Sequence, residues 1–152
     1  GRCKLAVFCC PSNDADLLVD ADAVGIDVIE DAILMLEESS ALVKTRLFTV
    51  PGRRQNRAWQ DFMSGPLVTF QAVPRSPRVK GEETDAAISS AIKKFMQSSS
   101  SKRTALLTVD FDFAELVLAA RERGKSLEVL IPAKRRHLIR KYEEAGIQVL
   151  QV

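Results

Sequence analysis

Short apolar runs rich in β-branched residues alternate with stretches of helical period along most of this chain. That alternation is the signature of a parallel sheet, in which each buried strand is reached through a helical crossover. The strand candidates are Leu17–Val19, Arg46–Val50, Leu67–Val73, Ala105–Val109, Leu127–Ile131 and Gln148–Val152, with Leu5–Cys9 as a further one. Between them, Ile26, Ile29, Ile33 and Leu36 recur at spacings of three and four within Val24–Glu38. Ile88, Ala91, Ile92, Phe95 and Met96 do the same within Thr84–Met96, and Phe113, Leu116, Val117 and Ala120 within Asp112–Arg123. Each stripe predicts a helix face packed on the sheet. A last helix is expected over Ala133–Ala145, with Gly124 and Gly146 as the residues just beyond two helix ends. Pro11-Ser12-Asn13-Asp14 is a strong turn signal. Residues 1–16 therefore read as an N-terminal extension or extra edge strand, and 17–152 as one domain.

Several function classes are excluded early. No apolar run approaches the ~18 residues that a membrane-spanning helix requires, so no membrane partner is expected. The three cysteines, Cys3, Cys9 and Cys10, form no C-x-x-C pair, and His137 is the one histidine, so a zinc site of ordinary spacing is absent from the sequence. Reduced thiols point to an intracellular setting. The chain opens on Gly1 rather than Met, as a piece excised from a longer protein would, with any targeting segment left behind.

A net charge of +2 conceals segregation. Residues 1–43 carry two basic side chains against nine acidic, whereas residues 44–80 carry eight basic against Asp61 alone. The remainder is nearly balanced, so an acidic site beside a basic flank is one consequence, and a solvated arginine-rich surface the other.

In an open parallel sheet, ligands bind beyond the carboxyl ends of the strands. Asp20 and Asp22 follow Leu17-Leu18-Val19, Asp110 and Asp112 follow the run ending at Val109, and Asp85 stands at a helix start after Lys80-Gly81-Glu82-Glu83. Parallel strands bring all of these to one edge. Carboxylates gathered there repel unless protonated or neutralised, and Mg²⁺ or Mn²⁺ is the natural neutraliser. Such an ion lowers the pKa of a bound water and polarises a phosphate oxygen, the two requirements of phosphodiester hydrolysis. Each acid also has a simpler explanation: Asp85 and Asp112 as first-turn helix residues, Asp22 as a helix cap. Capping explains little for Asp20 and Asp110, which end apolar strands.

Leu18-Val19-Asp20-Ala21-Asp22-Ala23, Lys80-Gly81-Glu82-Glu83-Thr84-Asp85 and Leu107-Thr108-Val109-Asp110-Phe111-Asp112-Phe113, followed by Arg123-Gly124-Lys125, resemble the motifs of the NYN branch of the PIN-like nucleases. The resemblance spans about residues 17–132. It implies a Rossmann-like (PIN-like) three-layer α/β/α fold with a central, mainly parallel sheet and a metal-dependent endoribonuclease acting on RNA, mainly single-stranded. On that reading Asp20, Asp110 and Asp112 hold Mg²⁺ or Mn²⁺, with Asp85 as a further ligand or water positioner and Asp22 as an auxiliary acid. Two positions depart from the family: its Asn after the first Asp is Ala23 here, and its Ser-Gly is Thr108-Val109. A module that keeps the fold and binds RNA or protein without turnover is therefore the alternative. A third reading takes Asp20-Ala21-Asp22-Ala23-Val24 as the nucleophile and acid–base pair of a haloacid-dehalogenase-type phosphatase, but no cap insertion accompanies it.

RNA contact is assigned to Arg53, Arg54 and Arg57, which follow a strand end, with Lys80 and Thr108 from the second and third motifs. Trp59 either stacks a base or, spaced helically with Phe62 and Met63, packs in the core. Lys134-Arg135-Arg136-His137 either adds an electrostatic margin or is a solvated helix start.

Overall fold

The structure, a computed structural model, describes residues 13–49, 52, 55–73, 82–100 and 102–152. The Leu5–Cys9 strand candidate, the three cysteines, Arg53, Arg54 and Lys80 lie outside the described residues. Six strands form one sheet: β1 (Asp14–Asp20), β2 (Leu42–Thr49), β3 (Val68–Ala72), β4 (Arg103–Leu107), β5 (Leu127–Ile131) and β6 (Val149–Gln151). Five helices connect them among the described residues: α1 (Ile26–Glu37), α2 (Arg57–Met63), α3 (Glu82–Gln97), α4 (Ala114–Glu122) and α5 (Arg136–Glu144).

Every pairing is parallel, in the order β3-β2-β1-β4-β5-β6. The chain winds outward from β1 in one direction, then returns through α3 and winds outward from β4 in the other. The order reverses between β1 and β4, and in doubly wound sheets the crevice beyond that junction is where ligands bind. Alternation along the strands divides the core. Leu17, Val19, Leu47, Ala105 and Leu107 meet Ile29, Ala32 and Leu36 of α1 and Trp59 of α2 on one face. Leu18, Phe48 and Leu106 meet Ile88 and Ile92 of α3 on the other, while Val129 and Ile131 pack with Val117 of α4 and Ile139 and Tyr142 of α5. The result is the expected three-layer α/β/α architecture, here with a wholly parallel sheet. Among the described residues no helix is long and apolar enough to cross a membrane.

Two helix ends follow the glycine signals. Gly124 and Gly146 have φ of 74° and 86°, the left-handed region a side chain would strain. Lys125 N–H donates to the Ala120 carbonyl and Ile147 N–H to that of Tyr142, closing both ends as Schellman motifs.

Other boundaries move. β1 begins at Asp14, so residues 14–16 belong to the sheet rather than to an extension. Asp16 sustains the strand by pairing with Lys102 beside it at 3.1 Å. β2 begins at Leu42, four residues before the apolar run, because Val43 and Thr45 face inward while Lys44 points out. The short helix α2 is capped by Asn56, whose side chain accepts the N–H groups of Ala58 and Trp59.

Candidate functional site

β1 and β4 lie side by side, with Val19 opposite Leu107, and this register brings Asp20 and the Thr108–Asp112 loop together at the carboxyl edge. Asp20 has the parity of Leu18 and so faces the α3 layer. The first turn of α3 lies over that face and delivers Asp85. Among the described residues, Asp85, Asp110 and Asp112 form one set of acids able to hold a metal ion, each offering a carboxylate oxygen within 4.8 Å of the others. Three hard oxygen donors at this spacing suit a hard divalent cation.

The loop carrying two of these acids is held from three sides. Thr108 Oγ1 accepts the Asp110 N–H at 3.0 Å, and Asp110 Oδ1 accepts the Asp112 N–H at 3.0 Å. From α5, the Tyr142 hydroxyl donates to the Asp110 carbonyl at 2.6 Å. Tyr142 is fully buried, and its ring meets Phe111 edge to face at 5.0 Å. Burial and the nearby carboxylates of Asp110, Asp112 and Asp85 raise its phenol pKa, so it remains a hydrogen-bond donor throughout the ordinary pH range.

Electrostatics record the crowding. Burial, then the charges of Asp22 and Asp110, push Asp20 up to about 6, against a hydrogen bond from the Asp22 N–H that favours its ionised form. Asp85 is pushed up to about 7 by burial, then by the charge of Asp110 and a side-chain hydrogen bond with it. Among the described residues, no lysine or arginine forms an ion pair with Asp20, Asp85, Asp110 or Asp112.

Several sequence expectations change. Asp85 joins Asp110 and Asp112 in the close trio, whereas Asp20, only 6% exposed, lies outside it and acts on it through charge. Asp112 is not a helix residue, since α4 starts at Ala114. Asp22 does not cap α1, whose N-cap is Gly25 without a side-chain cap. Its carboxylate instead accepts the Thr49 hydroxyl at 2.6 Å and the Thr84 hydroxyl at 2.7 Å, tying the end of β2 to the first turn of α3. Thr108, assigned to RNA contact, is fully buried with its hydroxyl engaged by the acid loop, so it shapes the site and does not face a substrate. Trp59 is a core residue, 5% exposed and edge-on to Phe62. Arg57 is exposed at the head of α2, on the β2–β3 side of the acids.

Tyr142 and Thr49 carried no role in the sequence, and Thr84 entered only as part of a motif and a helix start. A tyrosine inside an apolar helical stripe, and a threonine at a strand end or helix start, carry no signal of a distant partner.

No protein-family model matches the chain, and no curated protein matches it. Solved structures do. A protein of unknown function from Vibrio parahaemolyticus is similar with a TM-score of 0.64 at 17% identity, covering 91% of this chain and 92% of the other. The C-terminal domain of a hydrogenase from Pyrococcus furiosus gives a TM-score of 0.50 at 14% identity, covering 78% of this chain and 92% of that domain. At such identities the likeness is one of fold.

Proposed function

We propose that this domain is a Mg²⁺- or Mn²⁺-dependent endoribonuclease that hydrolyses phosphodiester bonds of single-stranded RNA. The observation that carries the reading is the convergence of Asp85, Asp110 and Asp112 beyond the β1/β4 junction, with no described cation between them. The sequence motifs that resemble the NYN nucleases supply these same three acids and Asp20.

Bound among the trio, the ion would neutralise the acids, activate water and polarise a phosphate oxygen. The chain's own part is to keep the acids in place. Thr108, Tyr142 and the Asp112 N–H fix the Asp110 loop, while Asp22 joins the first turn of α3 to β2 through Thr84 and Thr49. Asp20 adds negative charge from a buried position, which strengthens the preference for a cation. Arg57, with Arg53, Arg54 and Lys80, is the proposed phosphate-binding flank.

A binding module without turnover is the second reading. Ala23 and Val109 at the motif positions, and Asp20 outside the close trio, favour it. The phosphatase reading draws no support from the geometry, because both oxygens of Asp22, its acid–base residue, are engaged by threonine hydroxyls.

Cleavage of an end-labelled oligoribonucleotide with Mn²⁺ or with EDTA separates the two. The nuclease reading expects metal-dependent internal cuts that Asp110→Asn abolishes. Cleavage that persists in Asp110→Asn, or none in the wild type despite RNA binding, sinks it.

A further inference from the structure

The function proposed above draws its basic residues from the β2–β3 side of the acids. The opposite side carries a second basic region with a different form. Val109, adjacent to Asp110, is one wall of a cleft of about 270 Å³ whose other walls are Lys134, Arg135, Arg136, His137 and Leu138. Arg136 also lines a second groove, of about 430 Å³, that runs along α5 and the β6 edge past Arg140, Glu143 and Gln151. Both cavities share Arg136, and the path they outline has Val109, the residue before Asp110, at one end.

Charge along this path is of nearly one sign. Lys134, Arg135, Arg136 and Arg140 are exposed, and none forms an ion pair with another described residue. Glu143 is the one carboxylate among the residues lining the path. Arg136, Arg140 and Glu143 stand in a row on one helix face. An ordinary solvated helix surface is convex and mixes signs; this one is concave and cationic. It is also unfavourable in isolation, since Arg136 sits in a first turn without an acid, where the macrodipole repels cations.

We infer that this path is a track for the sugar–phosphate backbone of a single-stranded nucleic acid crossing the acidic trio, entering or leaving on the β5–β6 side. The inference rests on the nuclease reading and adds the route of the substrate. Basic flanks on both sides of the β1/β4 junction would then grip the strand on either side of the bond to be cut. The length of α5, about 13 Å for nine residues, spans about four nucleotides at the 3.4 Å spacing of a stacked strand, and fewer when it is stretched. Backbone contacts of this kind neutralise phosphates and carry no base preference.

The test uses the full chain in EDTA, so that binding is measured without cleavage. Fluorescence anisotropy of a labelled oligouridylate is followed as monovalent salt is raised. Two triple variants are compared: Arg135→Gln with Arg136→Gln and Arg140→Gln on the track, and Lys93→Gln with Lys94→Gln and Arg123→Gln elsewhere. All six side chains are exposed, and both variants lose the same charge. At ~0.7 of log–log slope per phosphate, three lost contacts lower the salt slope by about two and weaken binding about 100-fold at about 0.1 M salt. The control should change binding only a few-fold.

Equal effects from the two variants would overturn the track, because net charge alone would explain them. Displacement of the oligonucleotide by polyglutamate at equal charge concentration would also overturn it, naming an acidic peptide as occupant. A wild type that cleaves RNA while the track variant keeps its slope removes the track and leaves the nuclease. A track variant that loses slope as expected, beside a wild type that cuts nothing in Mn²⁺, keeps the track and removes the nuclease.

Discussion

Replacing Tyr142 with Phe removes one hydroxyl and little else, and so isolates the contact that α5 makes with the acid loop. The ring stays in its buried site against Phe111, so no cavity opens. What is lost is a 2.6 Å hydrogen bond to the Asp110 carbonyl. A hydrogen bond of this kind contributes about 0.5–1.5 kcal/mol net, and a buried acceptor left without a partner costs about 1–3 kcal/mol. Asp110 is half-buried, so water can reach its carbonyl in part, and about 1–2 kcal/mol is the expected loss. For a chain of this length that corresponds to a fall in Tm of about 2–8 °C, measured by circular dichroism in EDTA. A purely structural role would end there. If the hydroxyl also fixes the loop that presents Asp110 and Asp112, Mn²⁺ affinity should fall by about 10–100-fold, as it does when groups supporting a metal ligand are removed. Calorimetric titration with Mn²⁺ measures this at a temperature where both proteins are folded. A Tm within 1 °C of wild type, by ~RT-scale reasoning, means the hydrogen bond contributes nothing. A lowered Tm with unchanged Mn²⁺ affinity means Tyr142 supports the fold but does not position the acids.

Other perturbations test other links. Thr45→Val should raise Tm by about 2–12 °C, because the Thr45 hydroxyl is buried without a partner among the described residues and its removal relieves a penalty of about 1–3 kcal/mol; an unchanged or lower Tm would mean the hydroxyl is satisfied. Asp110→Asn should stabilise the metal-free protein by relieving repulsion with Asp85 and Asp20 while eliminating stabilisation by Mn²⁺, both read from melting curves with and without the ion. In EDTA, stability should fall as the pH rises from about 4 to about 7. Asp20 and Asp85 keep their protons to about 6 and about 7 when folded but lose them near the ordinary carboxylate value of 3.8 when unfolded, so the folded state binds more protons across that window. A stability that rises through the same window in EDTA, with Asp20→Asn and Asp85→Asn leaving the slope unchanged, would contradict the crowding of these acids.

The sequence was most informative where a single local rule decides the structure. Helical stripes and apolar runs located most of the strands and helices, and the glycines at 124 and 146 marked two helix ends because only the left-handed conformation closes them as observed. It was least informative where a polar residue is tolerated for a tertiary reason. Arg46 interrupts the inward pattern of β2, yet its guanidinium bonds Gln71 of β3 and lies 5.1 Å from the Phe48 ring centre, so the strand continues through it. The acids at the strand ends were legible as a group, since parallel topology sends them all to one edge. Their order of closeness was not. Asp20 ends a central strand and is buried, whereas Asp85 reaches the trio because α3 crosses the sheet above it, where threonines from β2 and α3 meet on Asp22.

The two edges of the sheet handle charge in opposite ways, and the contrast bears on what the acids are for. At the amino edge, cations are matched to partners. Arg103 binds Glu128 and reaches the hydroxyls of Ser39 at 2.6 Å and Ser40 at 2.9 Å, Lys102 pairs with Asp16, and Lys125 donates to the carbonyls of Ser98 and Ser100. These contacts tie loops to strands. At the carboxyl edge Lys134–Arg136 lie near Val109, one residue from Asp110, yet none of them pairs with a described acid. Among the described residues no arginine or lysine pairs with Asp85 or Asp110 to remove the repulsion that raises Asp85, whereas those of the other edge are matched to partners. Mutual repulsion among carboxylates is unfavourable in the ligand-free fold and favourable to cation binding, since the ion gains what the acids lose. The same holds for the unmatched cations of α5 toward an anion. On the proposed nuclease reading, a substrate carrying phosphates, brought to the trio together with a divalent ion, would relieve both at once.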